Sequence, residues 1–146
     1  MSLNYVPVLT AVMNRLATGD AVITANIGKI ESVPCVFVEQ ADPLADTTKP
    51  TLVIARVSQP STGTFTQDQV ELNFDVHLFY GKKFSPYETG SDIGALMDAV
   101  RSRLNRWAPT ASGMVCSTIW NTNSITTDDD DSWHRVSTFA VHCTEA

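Results

Sequence analysis

The sequence predicts an α+β fold: a mostly antiparallel sheet of about four or five strands, with two main helices packed on one face and a long β-hairpin arm. Two observations predict this class. Strand-like segments are grouped on either side of one long amphipathic helix, and they do not alternate singly with helices. All 146 residues are expected to form a single domain, 1–146, because domains usually contain roughly 100–150 residues.

The clearest strand is QVELNFDVHLFYG, residues 69–81. Side chains of a strand point alternately to its two faces, so a period of two indicates one buried face and one polar face. The predicted buried face carries Val70, Leu72, Phe74, Val76, Leu78 and Tyr80. The predicted polar face carries Glu71, Asn73, Asp75 and His77, with Phe79 as an exception.

Helical periodicity occurs in two places. In residues 3–17, and again in the segment before Pro109, apolar side chains recur every three or four positions. Gly19 is expected to end the first helix, and a short second helix is expected over 20–25. The sequence SPYE, residues 85–88, has the pattern of a capping box at the start of the long helix. The apolar stripe of the long helix consists of Ile93, Leu96, Met97, Val100, Leu104 and Trp107.

Four further segments have strand-like composition. Residues 29–40 are rich in valine, but Pro34 cannot donate to a ladder and therefore indicates an edge or a bulge. Residues 51–58 begin apolar on both faces, so the start of this strand is expected to be covered on both sides. The connection 59–68 leads from it to the long strand, which predicts an antiparallel hairpin with a long arm. The last two strands are expected near 114–121 and 133–143.

The composition weighs against nucleic-acid and membrane partners. The formal net charge is -6, and the ten basic residues do not form the concentrated positive surface that binds a phosphate backbone. DNA passing nearby without binding is compatible with this charge. No apolar run approaches the ~18 residues of a membrane span. The segment MSLNYVPVLT lacks the basic region and cleavage site of a signal peptide, so we expect the protein to be made and kept in a cytosol.

Four consecutive aspartates raise the question of a metal site. An EF-hand loop needs glycine at its sixth position and glutamate at its twelfth. Counted from Asp128, these positions hold Trp133 and Phe139. The run Asp128, Asp129, Asp130 and Asp131 is therefore better explained as a solvated hairpin tip. We expect no bound metal and no cofactor.

The sequence contains no recognisable catalytic motif. His77 and Asp75 share the polar face of the long strand, where they form either an acid–base pair or a surface hydrogen bond; we favour the latter because no nucleophile motif accompanies them. Three cysteines, Cys35, Cys116 and Cys143, are far apart in sequence and are expected to be reduced and buried. GxSxG, GxxxxGKS/T and GxGxxG are all absent, so we predict no enzymatic activity.

The connection 59–68 contains one aromatic side chain in a polar segment. Phe65 either folds back on its own domain or is buried in the surface of a partner. The second possibility makes this tip an interaction arm. The predicted interface residues are Phe65, Thr66, Gln67 and Asp68.

In the order and hydrophobic pattern of its elements, the chain resembles the phage tail terminator (tail-completion) family. The similar segments, in chain order, are VPVLTAVMNRL, DAVITANIGKIESVPC, KPTLVIARV, VELNFDVHLFYG, IGALMDAVRSRLNRW and STFAVHC. The resemblance covers nearly the whole chain. It consists of hydrophobic patterns, so it transfers no individual functional residue.

The resemblance implies a structural virion protein that caps the tail tube, ends tail polymerisation and forms a ring, expected to be a hexamer, at the head–tail junction. Its expected partners are copies of itself, the tail tube protein and a neck or head-completion protein, with DNA passing through without specific binding. It is expected in the virion tail or neck, after assembly in the host cytoplasm. The candidate residues of an acidic lumen or loop are Glu71, Asp75, Asp128, Asp129, Asp130 and Asp131.

Two alternatives are left open. The chain is either a neck, head-completion or tail-tube protein of the same virion region, or a small cytosolic ligand-binding or enzymatic α+β domain. A discrete hexamer favours the terminator, and polymerisation into tubes favours the tube protein. A metabolite bound near His77 and Asp75 favours the cytosolic domain.

Overall fold

Helices lie against one face of a mixed sheet in the computed structural model, which describes residues 6–30, 33–34, 36–38, 50–58, 69–81, 90–127 and 132–145. The helices are α1 (Val6–Ala17), α2 (Ala21–Asn26) and α3 (Gly90–Leu104). The strands are β1 (Lys29–Ile30), β2 (Val33–Pro34), β3 (Val36–Val38), β4 (Thr51–Ser58), β5 (Gln69–Gly81), β6 (Met114–Cys116), β7 (Trp120–Thr126) and β8 (Ser132–Glu145). The predicted α+β class is confirmed.

The main sheet is built around one long antiparallel pair. Its strand order is β3-β4-β5-β8-β6, and β7 also pairs with β8. Strands β5 and β8 pair from Gln69↔Thr144 to Gly81↔Ser132. Every pair of this sheet is antiparallel except β3–β4, which is parallel, and β1 and β2 form a separate small sheet. The prediction of a mostly antiparallel sheet is therefore confirmed.

The main sheet has six strands, more than the four or five expected. The segment 114–121, predicted as one strand, contributes β6 and the beginning of β7. The chain leaves the ladder between them because the N–H of Ile119 donates to the carbonyl of Trp107, at 2.9 Å, and not to β8. The segment 29–40 is similarly divided among three short strands, with Pro34 in the small sheet.

The alternation of β5 separates a packed face from a polar face, as predicted. Leu72, Phe74, Val76 and Leu78 are fully buried and belong to the hydrophobic core shared with the three helices. The intervening polar side chains are half-buried, and Phe79 is 41% exposed. The helices therefore cover one face of the sheet, and the opposite face, here called the helix-free face, carries the polar residues of β5.

The predicted strand 51–58 coincides with β4. Its first four residues, Thr51 to Ile54, are all buried, which confirms that both faces of this end are covered. It pairs antiparallel with β5, also as predicted. The arm predicted over 59–68 lies outside the described residues, as does the predicted capping box at 85–88.

The predicted helix ends are correct for α1 and wrong for α3. Gly19, with a φ of 85°, follows the last residues of α1, and Asp20 caps α2 by accepting from the N–H groups of Val22 and Ile23. Helix α3 stops at Leu104 and does not continue to Pro109. Arg106 has a φ of 66°, and its N–H donates to Ile119, so the chain turns before Trp107 reaches a helical position.

Candidate interaction surfaces

Only some of the predicted site residues belong to the described part of the chain. Glu71 and Asp75 lie on β5, on the helix-free face, and both are half-buried. The predicted interface residues Phe65, Thr66, Gln67 and Asp68 lie outside the described residues. The same holds for the aspartates from Asp128 to Asp131, which separate Thr127 from the first residue of β8.

On the helix-free face, polar side chains join β5 to β8, and β8 to Thr127, the residue that follows β7. Thr138 donates its hydroxyl proton to the Asp75 carboxylate at 2.6 Å. His77 Nδ1 lies 3.0 Å from His134 Nε2, and His134 Nδ1 lies 2.7 Å from the Thr127 hydroxyl. Antiparallel pairing places Asp75 opposite Thr138 and Phe79 opposite His134, which explains why residues distant in sequence meet.

The pair of His77 and Asp75 does not form the surface hydrogen bond that the sequence favoured. The distance from His77 Nε2 to Asp75 Oδ2 is 3.8 Å, beyond hydrogen-bonding range. Each side chain is instead bonded to β8, Asp75 to Thr138 and His77 to His134. These contacts connect β5 to β8. His77 and Asp75 are therefore not within hydrogen-bonding distance of each other, as an acid–base pair would require.

Aromatic rings add an exposed patch to the helix-free face. The Phe79 ring stacks on the His134 ring, with centroids 4.3 Å apart and an interplanar angle of 19°. His77 lies 5.2 Å from His134 in the same stack. A large apolar ring held in place and partly exposed is a feature of protein contact surfaces.

Among the described residues, no group of three or more His, Cys, Asp or Glu side chains is arranged to hold a metal ion. His142 Nε2 and Glu71 Oε1 are 3.4 Å apart. None of the described helices combines the length and hydrophobicity that a membrane span requires.

Two of the cysteines meet across neighbouring strands, a contact that their sequence spacing did not predict. Cys116 of β6 pairs in register with Cys143 of β8, and both are free thiols. Cys143 is fully buried, and burial, followed by the charge and hydrogen bonding of Cys116, raises its pKa to about 12. Burial also raises the pKa of Cys116. Cys35 lies outside the described residues.

The raised pKa of Cys143 predicts a loss of stability in alkali. The folded protein keeps this proton up to pH about 12, whereas an unfolded thiol loses it near 9, so the free energy of unfolding falls as the pH rises between these values. We expect the free energy of unfolding of Cys143→Ala, measured in urea, to decline less steeply with pH over this range than that of the wild type. Cys116→Ala, which leaves Cys143 buried, serves as the control and retains most of the slope. Parallel declines in the wild type and Cys143→Ala would contradict the prediction.

A groove lies between α1, along its length from Val6 to Arg15, and the segment from Arg103 to Ser112. Its volume is about 630 Å³, and it is open to solvent. The guanidinium carbon of Arg15 lies 4.9 Å from the centre of the Trp107 ring. The apolar part of its wall is formed by Val6, Pro7, Ala11 and Ala111. We call this site the Arg15/Arg103 groove.

Each arginine of the groove caps the end of the other's helix. Arg15 Nε donates to the carbonyl of Arg103, and Arg103 Nε donates to the carbonyl of Arg15, both at 3.1 Å. Arg103 also donates to the carbonyl of Thr18, at 2.9 Å. The carboxyl end of a helix is a region of negative potential, which explains how two like charges are held together. A basic residue in the last turn of each helix was the available sequence signal, but it did not reveal that the helix ends meet.

The described residues therefore define an α+β domain, and they assemble no group of three or more potential metal ligands. A chain from a solved structure described as "Virion of native gene transfer agent (GTA) particle" has a similar fold, with a TM-score of 0.64 and 12% identity. The match covers 98% of this chain and 100% of that chain.

A second solved structure, which carries no functional name, has a TM-score of 0.60 at 12% identity and covers 99% of each chain. No family model matches the sequence, and no curated protein matches it. At this level of identity, the two similarities concern the fold, which extends over essentially the whole chain.

Proposed function

We propose that this protein is a non-enzymatic structural component of a phage-like virion and that it acts as a tail terminator. The single observation that carries the proposal is the end-to-end similarity of its fold to a chain of a gene transfer agent virion. The order of its elements, which resembles the tail terminator family, supports the narrower role. In this role, copies of the chain form a ring on the last tube ring and end polymerisation.

The sheet offers the unlike surfaces that such a ring needs. A ring forms when one surface of each subunit meets a different surface of its neighbour and the rotation closes. Among the described strands, β3 is at one edge of the main sheet, and β6 and β7 are at the other. Exposed strand edges bind other chains by adding strands, so these two edges supply different contact surfaces.

The helix-free face faces the passage for DNA in this proposal. Its carboxylates Glu71 and Asp75 have the same sign of charge as the phosphate backbone, and the whole chain is acidic. Like charges let DNA move past without binding. The partners are then copies of this chain, the tail tube protein below the ring and a neck or head-completion protein above it.

The test combines the mass of the assembly with its effect on tubes. We expect purified protein to give a discrete ring, with the mass of a hexamer, in light scattering coupled to size-exclusion chromatography. Electron microscopy of a polymerising tail tube protein is expected to show shorter tubes with a ring at one end after this protein is added. Tubes incubated with an unrelated acidic protein of similar size provide the control.

Three outcomes would contradict the proposal, each in favour of a different function. Tubes formed by this protein alone would identify a tube protein. A ring that binds neck components but leaves tube length unchanged would identify a neck or head-completion protein. A monomer that retains a metabolite in native mass spectrometry would identify a ligand-binding domain or an enzyme.

A further inference from the structure

The two described cysteines occupy a ladder position that suits a disulfide. Cys116 lies opposite Cys143 in the antiparallel register of β6 and β8. One residue further along the chain, the N–H of Ser117 donates to the carbonyl of His142, at 2.9 Å, so these two residues form a hydrogen-bonded pair. Hydrogen-bonded and non-hydrogen-bonded pairs alternate along an antiparallel ladder. Cys116 and Cys143 are therefore a non-hydrogen-bonded pair.

This kind of pair has the backbone spacing of a disulfide. Its Cα atoms are about 4.5 Å apart, and its side chains point to the same face of the sheet. A disulfide bridges Cα distances of about 4.4–6.8 Å, so the pair falls within that range. The two thiols also hydrogen-bond to each other, which places their sulfur atoms in contact. Backbone and side chains are thus both positioned for a covalent bond.

The two thiols differ in their exposure to solvent. Cys143 is fully buried, whereas Cys116 is half-buried on β6, a strand at one end of the main sheet. A dissolved oxidant therefore reaches Cys116 first. Burial raises the pKa of Cys116, so its thiolate is scarce near neutral pH and its reaction accelerates as the pH rises.

We propose that Cys116 and Cys143 form a reversible disulfide that fixes β6 to β8 when the protein meets a low-molecular-weight disulfide such as oxidised glutathione. The Cys116 thiolate attacks one sulfur of the oxidant, which forms a mixed disulfide and releases one thiolate. The Cys143 thiolate then attacks the Cys116 sulfur and displaces the second thiolate. The two cysteines lose two electrons and two protons, and the oxidant takes them up as two free thiols.

The first step of this exchange favours the second. Burial, followed by the charge and hydrogen bonding of Cys116, raises the pKa of Cys143. Once Cys116 carries the mixed disulfide, its thiolate charge and its thiol proton are gone. Cys143 then loses its proton more readily than it does in the reduced protein.

The bond would reinforce a short strand. Strand β6 has three residues, and among the described strands it pairs with β8 alone. A disulfide from 116 to 143 closes a loop that contains β7 and most of β8, which restricts the unfolded chain and stabilises the fold. Disulfides persist on virion and cell surfaces but are rare in the cytosol. Formation of the bond after assembly rests on the proposed function, whereas formation of the bond itself does not.

Peptide mapping of the full chain tests whether the bond forms. The reduced protein is incubated with excess oxidised glutathione at mildly alkaline pH, and free thiols are then blocked. Trypsin cleaves after Arg106 and Arg135, so the two cysteines fall in separate peptides, 107–135 and 136–146. We expect mass spectrometry to find these peptides joined, with the loss of two hydrogen atoms, and to find them separate after reduction. Cys35→Ser, which keeps the pair, is the control and should give the same link.

Thermal unfolding tests whether the bond stabilises the fold. We expect the Tm of the oxidised wild type to lie about 5–15 °C above that of the reduced wild type. The oxidant should raise the Tm of Cys35→Ser by the same amount and leave that of Cys116→Ala unchanged. The oxidised and reduced wild types share one sequence, so the main comparison does not depend on the folding of any variant.

Four results would overturn the inference. These are the absence of the linked peptides, links between molecules in place of links within one molecule, glutathione retained on Cys116 because Cys143 does not displace it, and a link that leaves the Tm unchanged. A protein that forms the disulfide and gains stability but assembles no ring keeps this inference and overturns only the proposed function.

Discussion

Replacing Phe139 by alanine is expected to lower the free energy of unfolding by about 3–5 kcal/mol, the range typical of a buried phenylalanine. Phe139 of β8 is fully buried and stacks on Phe74 of β5, with ring centroids 5.5 Å apart. The substitution removes this ring from the centre of the longest strand pair and leaves a cavity. Because domains are stable by only about 5–15 kcal/mol, we expect a large shift of the urea midpoint.

Phe79→Ala is the matched control, since it removes the same side chain from the opposite face of the sheet. Phe79 is 41% exposed, and its ring stacks on the rings of His134 and His77. The free energy of unfolding is expected to fall by less than about 1 kcal/mol, because the substitution removes little buried apolar surface. Similar losses for the two variants would show that the helices do not cover the face carrying Phe139.

Gly19→Ala is expected to lower the free energy of unfolding by about 1.5–3.5 kcal/mol, the sum of a conformational effect and a lost hydrogen bond. Gly19 has a φ of 85°, and this left-handed conformation costs an alanine about 1–2 kcal/mol. An added Cβ would also lie 2.2 Å from Nη2 of Arg103, so the guanidinium must move away. The bond from Arg103 to the carbonyl of Thr18 is then lost, at a further cost of about 0.5–1.5 kcal/mol.

Gly94 serves as a control, because replacing it by alanine involves neither a positive φ nor a close contact with Arg103. Gly94 lies within α3, with open space where a Cβ would be, so Gly94→Ala is expected to stabilise the protein by about 0.5–1 kcal/mol. In an Arg103→Ala background, Gly19→Ala should retain only the conformational part of its effect, because the contact with the guanidinium is already gone. Equal losses in both backgrounds, measured by urea unfolding, would exclude the contact with Arg103.

Local patterns were sufficient to predict the elements that bury a face. The alternation in β5 and the stripe in α1 each place apolar side chains at regular spacing, and burial of those side chains drives both elements to form. The end of α3 is different. Its apolar stripe continues to Trp107, but the hydrogen bond between Arg106 and Ile119 turns the chain earlier. A helix end set by a partner from a distant segment leaves no local signal.

The candidate surfaces depended still more on tertiary structure. His134 was a single histidine without a metal-spaced neighbour, yet strand pairing places it 3.0 Å from His77. Cys116 and Cys143 become neighbours through the register of β6 and β8. Arg15 and Arg103 are 88 positions apart and cap each other's helices only because α1 and α3 converge.

The sequence by itself determined which side chains avoid water, and with them the α+β class, the separation of packed and polar faces and the lack of a recognisable catalytic motif. The tertiary structure alone decided which polar side chains meet. The physical reason is that burial depends on periodicity along the chain, which is local, whereas a polar contact depends on strand register and helix packing to within about an ångström. The pairing of Arg15 with Arg103 belongs entirely to the second category.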